Sequence, residues 1–443
     1  MQASVEKMII VCMNTPKHCA PYQLDAWQAA ALLARRELKA VDLVRSCLDR
    51  IAERDAQVHA FVELNADAAL DRARQLDAGP LRGLLHGLPF GVKDLLDTYD
   101  LPTRYGSPIY AGNQPPADAA AVSLCREAGA VLMGKTVTTE LANMHAGATC
   151  NPHNPDRTPG GSSSGSAAAV ADQMLPLALG TQTAGSVIRP AAFCGVVGFK
   201  PSHNRVPRAG VKSLSETLDT IGGFGRSVRD VALLGAVLTG DLRMADPGLF
   251  TQQEAPRIGL CQTPEWSLAD IDTQQAWTHA ESALAGHSGP LALPAALNGL
   301  VAMHQAVQYF ETARSLSHER LRHHGQISEQ LQQRIAGGLA ISGETHAKNL
   351  AATAQARQQV ELLFQTHDVI LAPSAVGEAP VGLNFTGDPL FCRTWTLLGL
   401  PCVHLPFFSG HTGMPVGLQL VGAYGDDHRL LAAAHWVHER LTR

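Results

Sequence analysis

The sequence lacks a surplus of positive charge and contains no block of basic residues. Lys and Arg together number 35 and Asp and Glu 40, which gives a formal net charge of −5. Proteins that bind nucleic acids concentrate Lys and Arg on one face or along one helix. The composition therefore predicts a mildly acidic surface and excludes an obvious nucleic-acid footprint.

Long hydrophobic runs are also missing. A membrane-spanning helix needs about 18 or more consecutive apolar residues, and no stretch of the sequence approaches that length. The apolar segment from Met8 to Met13 is too short to span a membrane and is not followed by a signal-peptide cleavage pattern. Met8 and Met13 are alternative starts, so we assign the first dozen residues no function. We expect a cytoplasmic protein without a membrane association.

Metal-binding and disulfide patterns are absent from the sequence. The nine cysteines are scattered singly without a C-x-x-C pair, so we expect reduced, mostly buried thiols. The 19 histidines form neither an H-E-x-x-H motif nor a Cys/His cluster. The pair His323–His324 lies in a polar helical stretch and is typical of a solvated surface. We predict no metal and no cofactor.

Apolar periodicity predicts an α/β protein, and the whole sequence is 45% hydrophobic with 40 Gly and 26 Pro. Helical spacing runs from Asp25 to Ile51, and short apolar runs predict strands. The predicted strands are 88–92, 130–133, 369–372 and 416–421, and further helices are predicted at 118–128, 166–173 and 427–441. We predict one large mixed β-sheet domain, flanked by helices and interrupted by a helical insertion.

We expect this domain to occupy all 443 residues of the chain. Residues 1–20 are predicted to form a flexible start, 60–240 the core, 265–365 a mainly helical insertion, and 366–443 a return to the sheet. No internal repeat or low-complexity linker divides the chain.

A phosphate-loop pattern occurs between Gly129 and Thr136, where the sequence matches G-x-x-x-x-G-K-[ST]. A phosphate loop needs exposed backbone N–H groups after a strand and before a helix. The intervening residues Ala-Val-Leu-Met are typical of a buried strand, and a helical pattern precedes them. We interpret the match as accidental.

A second pattern, from Gly161 to Gly165, matches the nucleophile elbow G-x-S-x-G with Ser163 as the central serine. An elbow lies between a strand and a helix, with an acid and then a histidine following in the chain. The preceding residues 151–159 form a polar, Pro-rich loop instead of a strand. A Ser-His-Asp esterase that uses Ser163 remains the alternative chemistry.

A longer pattern places serines on two glycine-rich loops joined by one small-residue helix. Its strings are RTPGGSSSGSAAAVA from Arg157, GTQTAGS from Gly180 and RPAAFCGVVGFKP from Arg189. Glycines beside a serine let backbone N–H groups approach a substrate oxygen closely, as an oxyanion hole requires. Together with LHGLPFGVKD from Leu85 and GMPVGLQLVG from Gly413, these strings resemble the amidase signature family.

The resemblance implies a site built from two serines and a lysine. Lys93 matches the catalytic lysine of the family, Ser162 its bridging serine in a cis peptide, and Ser186 its nucleophile. Ser163 matches a serine that supports the bridging residue. The oxyanion hole of the family falls on the amides of four consecutive residues, Thr183, Ala184, Gly185 and Ser186.

Such a site needs a lysine that is neutral. The pKa of lysine in water is about 10.4, and burial can lower it by up to ~3–5 units. The apolar run before Lys93 fits burial, although a carboxylate of Asp94 facing the same pocket would oppose the shift. A neutral Lys93 would then accept the proton of Ser186 through Ser162.

The sequence departs from the family pattern around the nucleophile. Gln182 stands where relatives usually carry Asp, and Ala184 where they carry a second Gly. Ile188 replaces the usual Arg, and Arg189 lies one place further on. We interpret these changes as subgroup drift, which weakens any transfer of substrate preference.

The resemblance implies an amidohydrolase that cleaves the C–N bond of a small neutral amide, urea or carbamate. We expect the substrate pocket to include Tyr309 and Phe310, together with Phe391 and Trp395 from the stretch 391–398. The alternative within the family is the glutamine-hydrolysing component of a tRNA-dependent amidotransferase. A catalytically silent relative is disfavoured, because Lys93, Ser162 and Ser186 are intact. A homodimer remains open.

Overall fold

Eleven strands form one mixed β-sheet in the computed structural model of the protein, which describes residues 19–251 and 254–443. The order across the sheet is β1-β3-β2-β4-β6-β5-β10-β11-β9-β7-β8 when the strands are numbered along the chain. The strands are Phe61–Leu64 (β1), Pro89–Lys93 (β2), Val131–Thr136 (β3), Leu177–Gln182 (β4), Val197–Lys200 (β5), Thr220–Gly225 (β6), Ile258–Leu260 (β7), Ser288–Pro290 (β8), Val369–Pro373 (β9), Cys402–Ser409 (β10) and Pro415–Val421 (β11).

Fourteen α-helices flank the sheet within the described residues. They are Ala26–Ala34 (α1), Ala40–Val58 (α2), Ala66–Ala78 (α3), Ala120–Glu127 (α4), Ser164–Ala171 (α5), Ile188–Cys194 (α6), Val228–Thr239 (α7), Ile271–Ala283 (α8), Leu300–Ser315 (α9), Ser317–Arg322 (α10), Glu329–Leu339 (α11), Gly343–Leu363 (α12), Leu390–Leu397 (α13) and Asp427–Leu441 (α14). The predicted fold class, a large mixed sheet with helices around it and a helical insertion, is confirmed.

Two parallel pairings organise the part of the sheet that carries the candidate site. Strand β2 pairs in parallel with β3 on one side and with β4 on the other. The carboxyl ends of all three strands therefore meet at one edge, where ligands bind in open α/β sheets. Lys93 ends β2 and Gln182 ends β4 at this edge.

The small-residue helix α5 packs tightly against this edge. All residues from Ser164 to Val170 are buried. A Cβ on Gly165 would lie 2.2 Å from the carbonyl oxygen of Ala60 and 2.4 Å from the amide nitrogen of Val137. Only glycine permits this approach, which brings the start of α5 and its preceding serines against the strand ends.

Several predicted elements are confirmed with shifted ends. The helix expected from 25 to 51 is two helices, α1 and α2, because the apolar stripe is interrupted at residues 35–39. The stretch 265–365 contains α8 to α12 and the three-residue strand β8 at the sheet edge. Strands β4 and β6, with sequences LALGTQ and TIGGFG, were not predicted, since their glycines and small residues give no β-branched run.

Three further observations concern predictions about the whole chain. Most of the predicted flexible start, and the segment Met8 to Met13 with it, lies outside the described residues. Seven of the eight described cysteines are buried. No helix in the described ranges is long and apolar enough to cross a membrane.

Candidate active site

Lys93 is the last residue of β2, and its side chain is fully buried. Its Nζ donates hydrogen bonds to Ser162 Oγ at 2.6 Å and to Thr181 Oγ1 at 2.7 Å. Burial lowers the pKa of Lys93 from 10.5 to about 7, with Asp219 opposing the shift and Arg189 adding to it. A pKa near neutrality lets the amine be neutral in a substantial fraction of molecules at pH 7.

Asp94 is directed away from Lys93. Its carboxylate contacts Lys135 Nζ at 3.1 Å and accepts hydrogen bonds from the backbone N–H of Arg104. The carboxylate that opposes the lowered pKa of Lys93 is therefore Asp219. The Asp94 carboxylate is paired with Lys135 instead.

Ser162 lies in the loop before α5, and its peptide bond to Gly161 is cis. The carbonyl oxygen of Ser162 accepts a hydrogen bond from Thr139 N at 3.2 Å. The side chains of Thr139 and Thr386 pack against Gly161, because a Cβ added to Gly161 would lie within about 3 Å of both side chains. The bridging serine is therefore held between the loops at 139–144 and 384–387.

Ser163 supports Lys93 indirectly through Thr181. The Ser163 hydroxyl is within 3.3 Å of both the backbone N–H and the carbonyl oxygen of Thr181, whose own hydroxyl accepts from Lys93. Ser163 is fully buried and follows a loop, so neither its exposure nor its position fits a nucleophile elbow. The geometry argues against the esterase alternative.

Ser186 lies between the end of β4 and the start of α6, and it is 7% exposed. The carbonyls of the three preceding residues are all anchored. Thr183 O accepts from His304 Nε2 at 2.9 Å, Ala184 O from Thr396 Oγ1 at 2.7 Å, and Gly185 O from Arg189 N at 2.8 Å. Within residues 19–251 and 254–443, no hydrogen bond is donated by the amides of 184–186. These amides are available to an oxyanion.

Gln182 explains one departure from the family pattern. Its Oε1 accepts from the amides of Val187 and Ile188 at 2.9 and 3.0 Å, at the start of α6. Its Nε2 donates to Thr396 Oγ1 at 2.9 Å, and Thr396 in turn donates to Ala184 O. A carboxylate at position 182 has no hydrogen to donate to Thr396, whereas the amide satisfies both sides.

Arg189 is buried and connects two loops at the site. Its Nη2 donates to Gly161 O at 2.6 Å, and its Nη1 donates to Gly387 O at 2.8 Å. Burial lowers the pKa of Arg189 to about 10. Ile188, which precedes it, is fully buried in a hydrophobic cluster with Trp395. The displaced arginine therefore contacts the cis-peptide carbonyl while its neighbour packs in the core.

The Thr183 side chain connects the candidate oxyanion segment to a buried acid. Thr183 Oγ1 donates to Asp219 Oδ1 at 2.6 Å, and the other carboxylate oxygen accepts from the amides of Leu214 and Ser215. Burial raises the pKa of Asp219, while these hydrogen bonds lower it. Asp219 is also the group that raises the pKa of Lys93.

A cavity of about 520 Å³ borders the loops that hold Ser162. It is lined by Met144, Tyr309, Gln330, Gln333, Arg334, Asn384 and Phe385. Met144 lies in the loop that contacts Ser162 through Thr139, and Phe385 precedes Thr386 beside Arg189. This position makes the cavity the best candidate for a substrate pocket.

Of the four aromatic residues predicted for the pocket, Tyr309 lines this cavity. Phe310 instead stacks on His346 with ring centroids 4.0 Å apart. Phe391 and Trp395 are 2% and 0% exposed on α13. These three residues do not line this cavity, because large aromatic rings on an amphipathic helix gain most by packing in the core, and their place in the substrate pocket stays a prediction.

The lysine in the phosphate-loop pattern has a structural role. Residues Val131–Thr136 form the fully buried strand β3. Lys135 Nζ contacts Asp94 and donates to Leu96 O at 2.8 Å and Thr103 Oγ1 at 2.6 Å. Its donors are directed at protein partners, which agrees with an accidental match.

A separate group could supply metal ligands. Asp272, Glu378 and His411 bring ligand atoms within 4.8 Å of one another beside a cavity of about 400 Å³. Asp272 accepts from the backbone and ring nitrogens of His411, both at 2.8 Å, and Glu378 accepts from Thr412 N at 3.0 Å. These bonds anchor the turn before β11, and the absence of a metal stays a prediction.

Sequence reasoning did not identify several residues of the site. Thr181, Asp219, His304, Arg393 and Thr396 contact the predicted residues through side-chain hydrogen bonds or electrostatic effects. They lie on β4, on the loop before β6, on α9 and on α13, and most are far from the serine loops in the chain. One signal in the sequence could have indicated two of these residues: Arg393 and His304 are polar residues on otherwise apolar helix faces.

Comparison with known proteins gives one family. A sequence model described as Amidase matches residues 42–431. The chain is similar to a Glutamyl-tRNA(Gln) amidotransferase component (the A subunit) of Oleidesulfovibrio alaskensis, with 34% identity over 95% of this chain and 98% of the relative. It is similar to the crystal structure of an amidase, with 31% identity, a TM-score of 0.85 and coverage of 94% and 100%. It is also similar to the native peptide amidase of Stenotrophomonas maltophilia, with 27% identity, a TM-score of 0.79 and coverage of 94% and 97%.

Proposed function

Because this chain belongs to the amidase family, we propose that it hydrolyses the C–N bond of a small amide, urea or carbamate through an acyl-enzyme on Ser186. The chain is an amidase-type hydrolase of C–N bonds, and the proposal adds the residues and the size of the substrate. The observation that carries it is the buried pair of Lys93 and Ser162, joined by a 2.6 Å hydrogen bond at the carboxyl end of β2.

In the proposed first step, neutral Lys93 takes a proton from Ser162, which takes the proton of Ser186. The Ser186 oxygen forms a bond to the amide carbon, and the carbonyl π electrons move to the oxygen. The amides of residues 184–186 are free to donate to that oxyanion. Loss of one such donor typically costs about 3–4 kcal/mol of transition-state stabilisation.

The intermediate then collapses. The C–N bond breaks, the nitrogen takes its proton back from Lys93 through Ser162, and the amine leaves. Water attacks the remaining ester on Ser186 with the same relay as base, which releases the acid and restores the serine. Each proton removed during attack is returned to a leaving group, so the cycle needs no cofactor.

The proposal is tested by mass spectrometry of the protein after incubation with a panel of small amides, ureas and carbamates. We expect an acyl adduct on Ser186 and turnover of at least one compound. Ser186→Ala should abolish both, while Ser163→Ala, the matched serine on the neighbouring loop, should retain the adduct. An adduct that persists in Ser186→Ala and disappears in Ser163→Ala would contradict the proposal.

A second candidate function is hydrolysis of glutamine within a tRNA-dependent amidotransferase. It is favoured by the similarity to a protein named as a component of Glutamyl-tRNA(Gln) amidotransferase. Release of ammonia from glutamine that depends on a co-purifying partner would establish the second function. The homodimer and the cytoplasmic location remain predictions.

A further inference from the structure

A buried carboxylate lies opposite the residue that begins the candidate oxyanion segment. Strands β4 and β6 are antiparallel, and the pair at this end of their register is Gln182 with Thr220. The next residue after β4, Thr183, therefore faces Asp219, the residue before β6. Directly opposite residues of an antiparallel pair have Cβ atoms about 4.5–5.5 Å apart. The register thus brings the Thr183 hydroxyl to Asp219, where Oγ1 donates to Oδ1 at 2.6 Å.

The contacts of the Asp219 carboxylate are those of an ionised acid. Besides Thr183, it accepts from the amides of Leu214 and Ser215 at 2.7 and 3.0 Å. The Ser213 hydroxyl is a further donor at 3.4 Å. An ionised carboxylate only accepts hydrogen bonds, and all four of these contacts are donors. The site therefore contains a buried negative charge that is held by hydrogen bonds.

Lys93 is the buried cation on the same part of β4. Its Nζ contacts the hydroxyls of Ser162 and Thr181, as described above. Thr181 and Thr183 are two residues apart, and alternate side chains of an extended chain lie on one face, about 7 Å from each other. In the described structure neither Lys93 nor Asp219 forms an ion pair. Two buried charges of opposite sign thus bind neighbouring hydroxyls at the end of one strand.

The charges that act on Lys93 come from two elements of the fold. Burial is the main cause of its lowered pKa, Asp219 raises the pKa, and Arg189 on α6 lowers it further. The adjacent pair of Asp94 and Lys135 is directed elsewhere and does not act on it. Asp219 is therefore the acid that stabilises the ammonium form of Lys93.

The charges around Asp219 itself are also few. Burial raises the pKa of Asp219, whereas its hydrogen bonds and the positive charge of Arg208 lower it. Glu311 on α9 contacts the same loop, where it accepts from Ser215 Oγ at 2.5 Å and from Thr217 Oγ1 at 2.7 Å. The loop before β6 thus holds two acids, and Asp219 is the one that contacts the candidate oxyanion segment.

We propose that Asp219 is a positioning residue of the amidase site, which fixes the candidate oxyanion segment through Thr183 and serves as the counter-charge of protonated Lys93. The inference rests on the proposed function and adds a residue beyond the two serines and the lysine. A general base works best when its pKa lies near the operating pH. Without the carboxylate, the amine of Lys93 would be neutral in more molecules but would bind the serine proton less tightly.

Asp219→Asn tests the charge while it keeps the shape. The oxygen of the new amide can accept from the amides of Leu214 and Ser215, and its nitrogen can donate to the Thr183 hydroxyl. We expect the acid limb of the kcat/KM profile to move to lower pH by about 0.5–1 unit, because a group that stabilises the ammonium form is lost. The plateau above that limb should fall several-fold. An acid limb that stays in place would overturn the inference.

Asp427→Asn is the matched control. Asp427 on α14 is also a buried carboxylate, and it accepts from the amide and the hydroxyl of Ser202 at 2.7 and 2.6 Å. Its replacement removes a charge of the same kind at a residue that does not act on Lys93. The acid limb should stay at its wild-type pH in this variant. An equal shift in Asp219→Asn and Asp427→Asn would contradict a specific role of Asp219.

Thr183 variants separate positioning from charge. Thr183→Val removes the hydroxyl that Asp219 holds and keeps both charges. We expect kcat to fall about tenfold while the acid limb stays in place, because the amides that follow lose their alignment. Thr183→Ser retains the hydroxyl and should recover most of the activity. Unchanged kcat in a folded Thr183→Val protein would overturn the positioning through Thr183.

A titration without substrate distinguishes the two possible failures. NMR of protein labelled with 13C at the lysine ε-carbons follows the protonation of Lys93, whose signal is assigned by its loss in Lys93→Met. A lower midpoint in Asp219→Asn than in the wild type supports the inference even if no compound is hydrolysed, and identical midpoints contradict it. Failure of the amidase proposal has a different signature, the lack of any Ser186 adduct in the wild-type protein across the whole panel.

Discussion

The guanidinium of Arg189 donates a 2.6 Å hydrogen bond to the carbonyl oxygen of Gly161, the residue that precedes Ser162 across a cis peptide bond. The same side chain donates to Gly387 O at 2.8 Å. Arg189 thereby joins the loop of the candidate bridging serine to the loop that borders both cavities. We infer a positioning role for this arginine, since it contacts the backbone beside the reacting groups.

Arg189→Met tests this role. Removing the cation leaves two buried carbonyls without their donor, and we expect the free energy of unfolding to fall by about 2–4 kcal/mol. We expect kcat to fall about 100-fold with a smaller change in KM, because the serine is displaced from the relay. Arg189 also lowers the pKa of Lys93, so the acid limb of the pH profile should move to higher pH. Unchanged kcat in the folded variant would contradict the positioning role.

The pH dependence of activity follows from Lys93. Its pKa is lowered to about 7, and the relay needs the neutral amine. We therefore expect kcat/KM to increase with pH through about 7 and to level off above it. The buried His304 and His404 have pKa values of about 3 and do not titrate in this range. A profile that is flat between pH 5.5 and 8.5 would contradict a lysine base.

The same shift predicts a pH dependence of stability. The pKa of Lys93 is about 7 in the folded protein and near its ordinary 10.5 when unfolded, so between these values the unfolded chain binds more protons. Lys93 therefore makes the free energy of unfolding increase with pH in this window, by at most about 1.4 kcal/mol per pH unit. Urea titrations of Lys93→Met at several pH values should show a smaller increase than the wild type. Equal slopes would contradict the shifted pKa.

Sequence and structure agree best where local pattern decides the outcome. The strand at Val369–Pro373 and the helix at Asp427–Leu441 lie where apolar periodicity predicts them. The resemblance supplied Lys93, Ser162 and Ser186, and the structure brings the first two into direct contact. The roles of His304, Arg393 and Thr396 could not be predicted from the sequence. Helix periodicity indicates that a residue is buried but does not indicate which distant loop it contacts.

The hydroxyl of Thr396 provides a test of the anchored carbonyls. It accepts from Gln182 Nε2 and donates to Ala184 O, so it fixes both ends of the candidate oxyanion segment. Thr396→Val keeps the shape but leaves a buried donor and a buried acceptor unsatisfied. We expect a loss of about 1–3 kcal/mol in the free energy of unfolding. We also expect a tenfold or greater fall in kcat. Thr396→Ser, which retains the hydroxyl, is the control and should recover most of the activity.

Tyr309 and Trp395 were both predicted to line the pocket, and the structure separates them. Tyr309 borders the cavity beside Arg334, whereas Trp395 is fully buried in the core with Ile188. We expect Tyr309→Ala to change KM and the ranking of substrates with a small effect on stability. Trp395→Ala should lower the free energy of unfolding by about 3–5 kcal/mol through the cavity it leaves. Trp395→Phe, which fills most of that volume, should keep the wild-type ranking. A ranking that changes with Trp395→Phe and not with Tyr309→Ala would place the substrate against α13, and the cavity beside Arg334 would then not be the pocket.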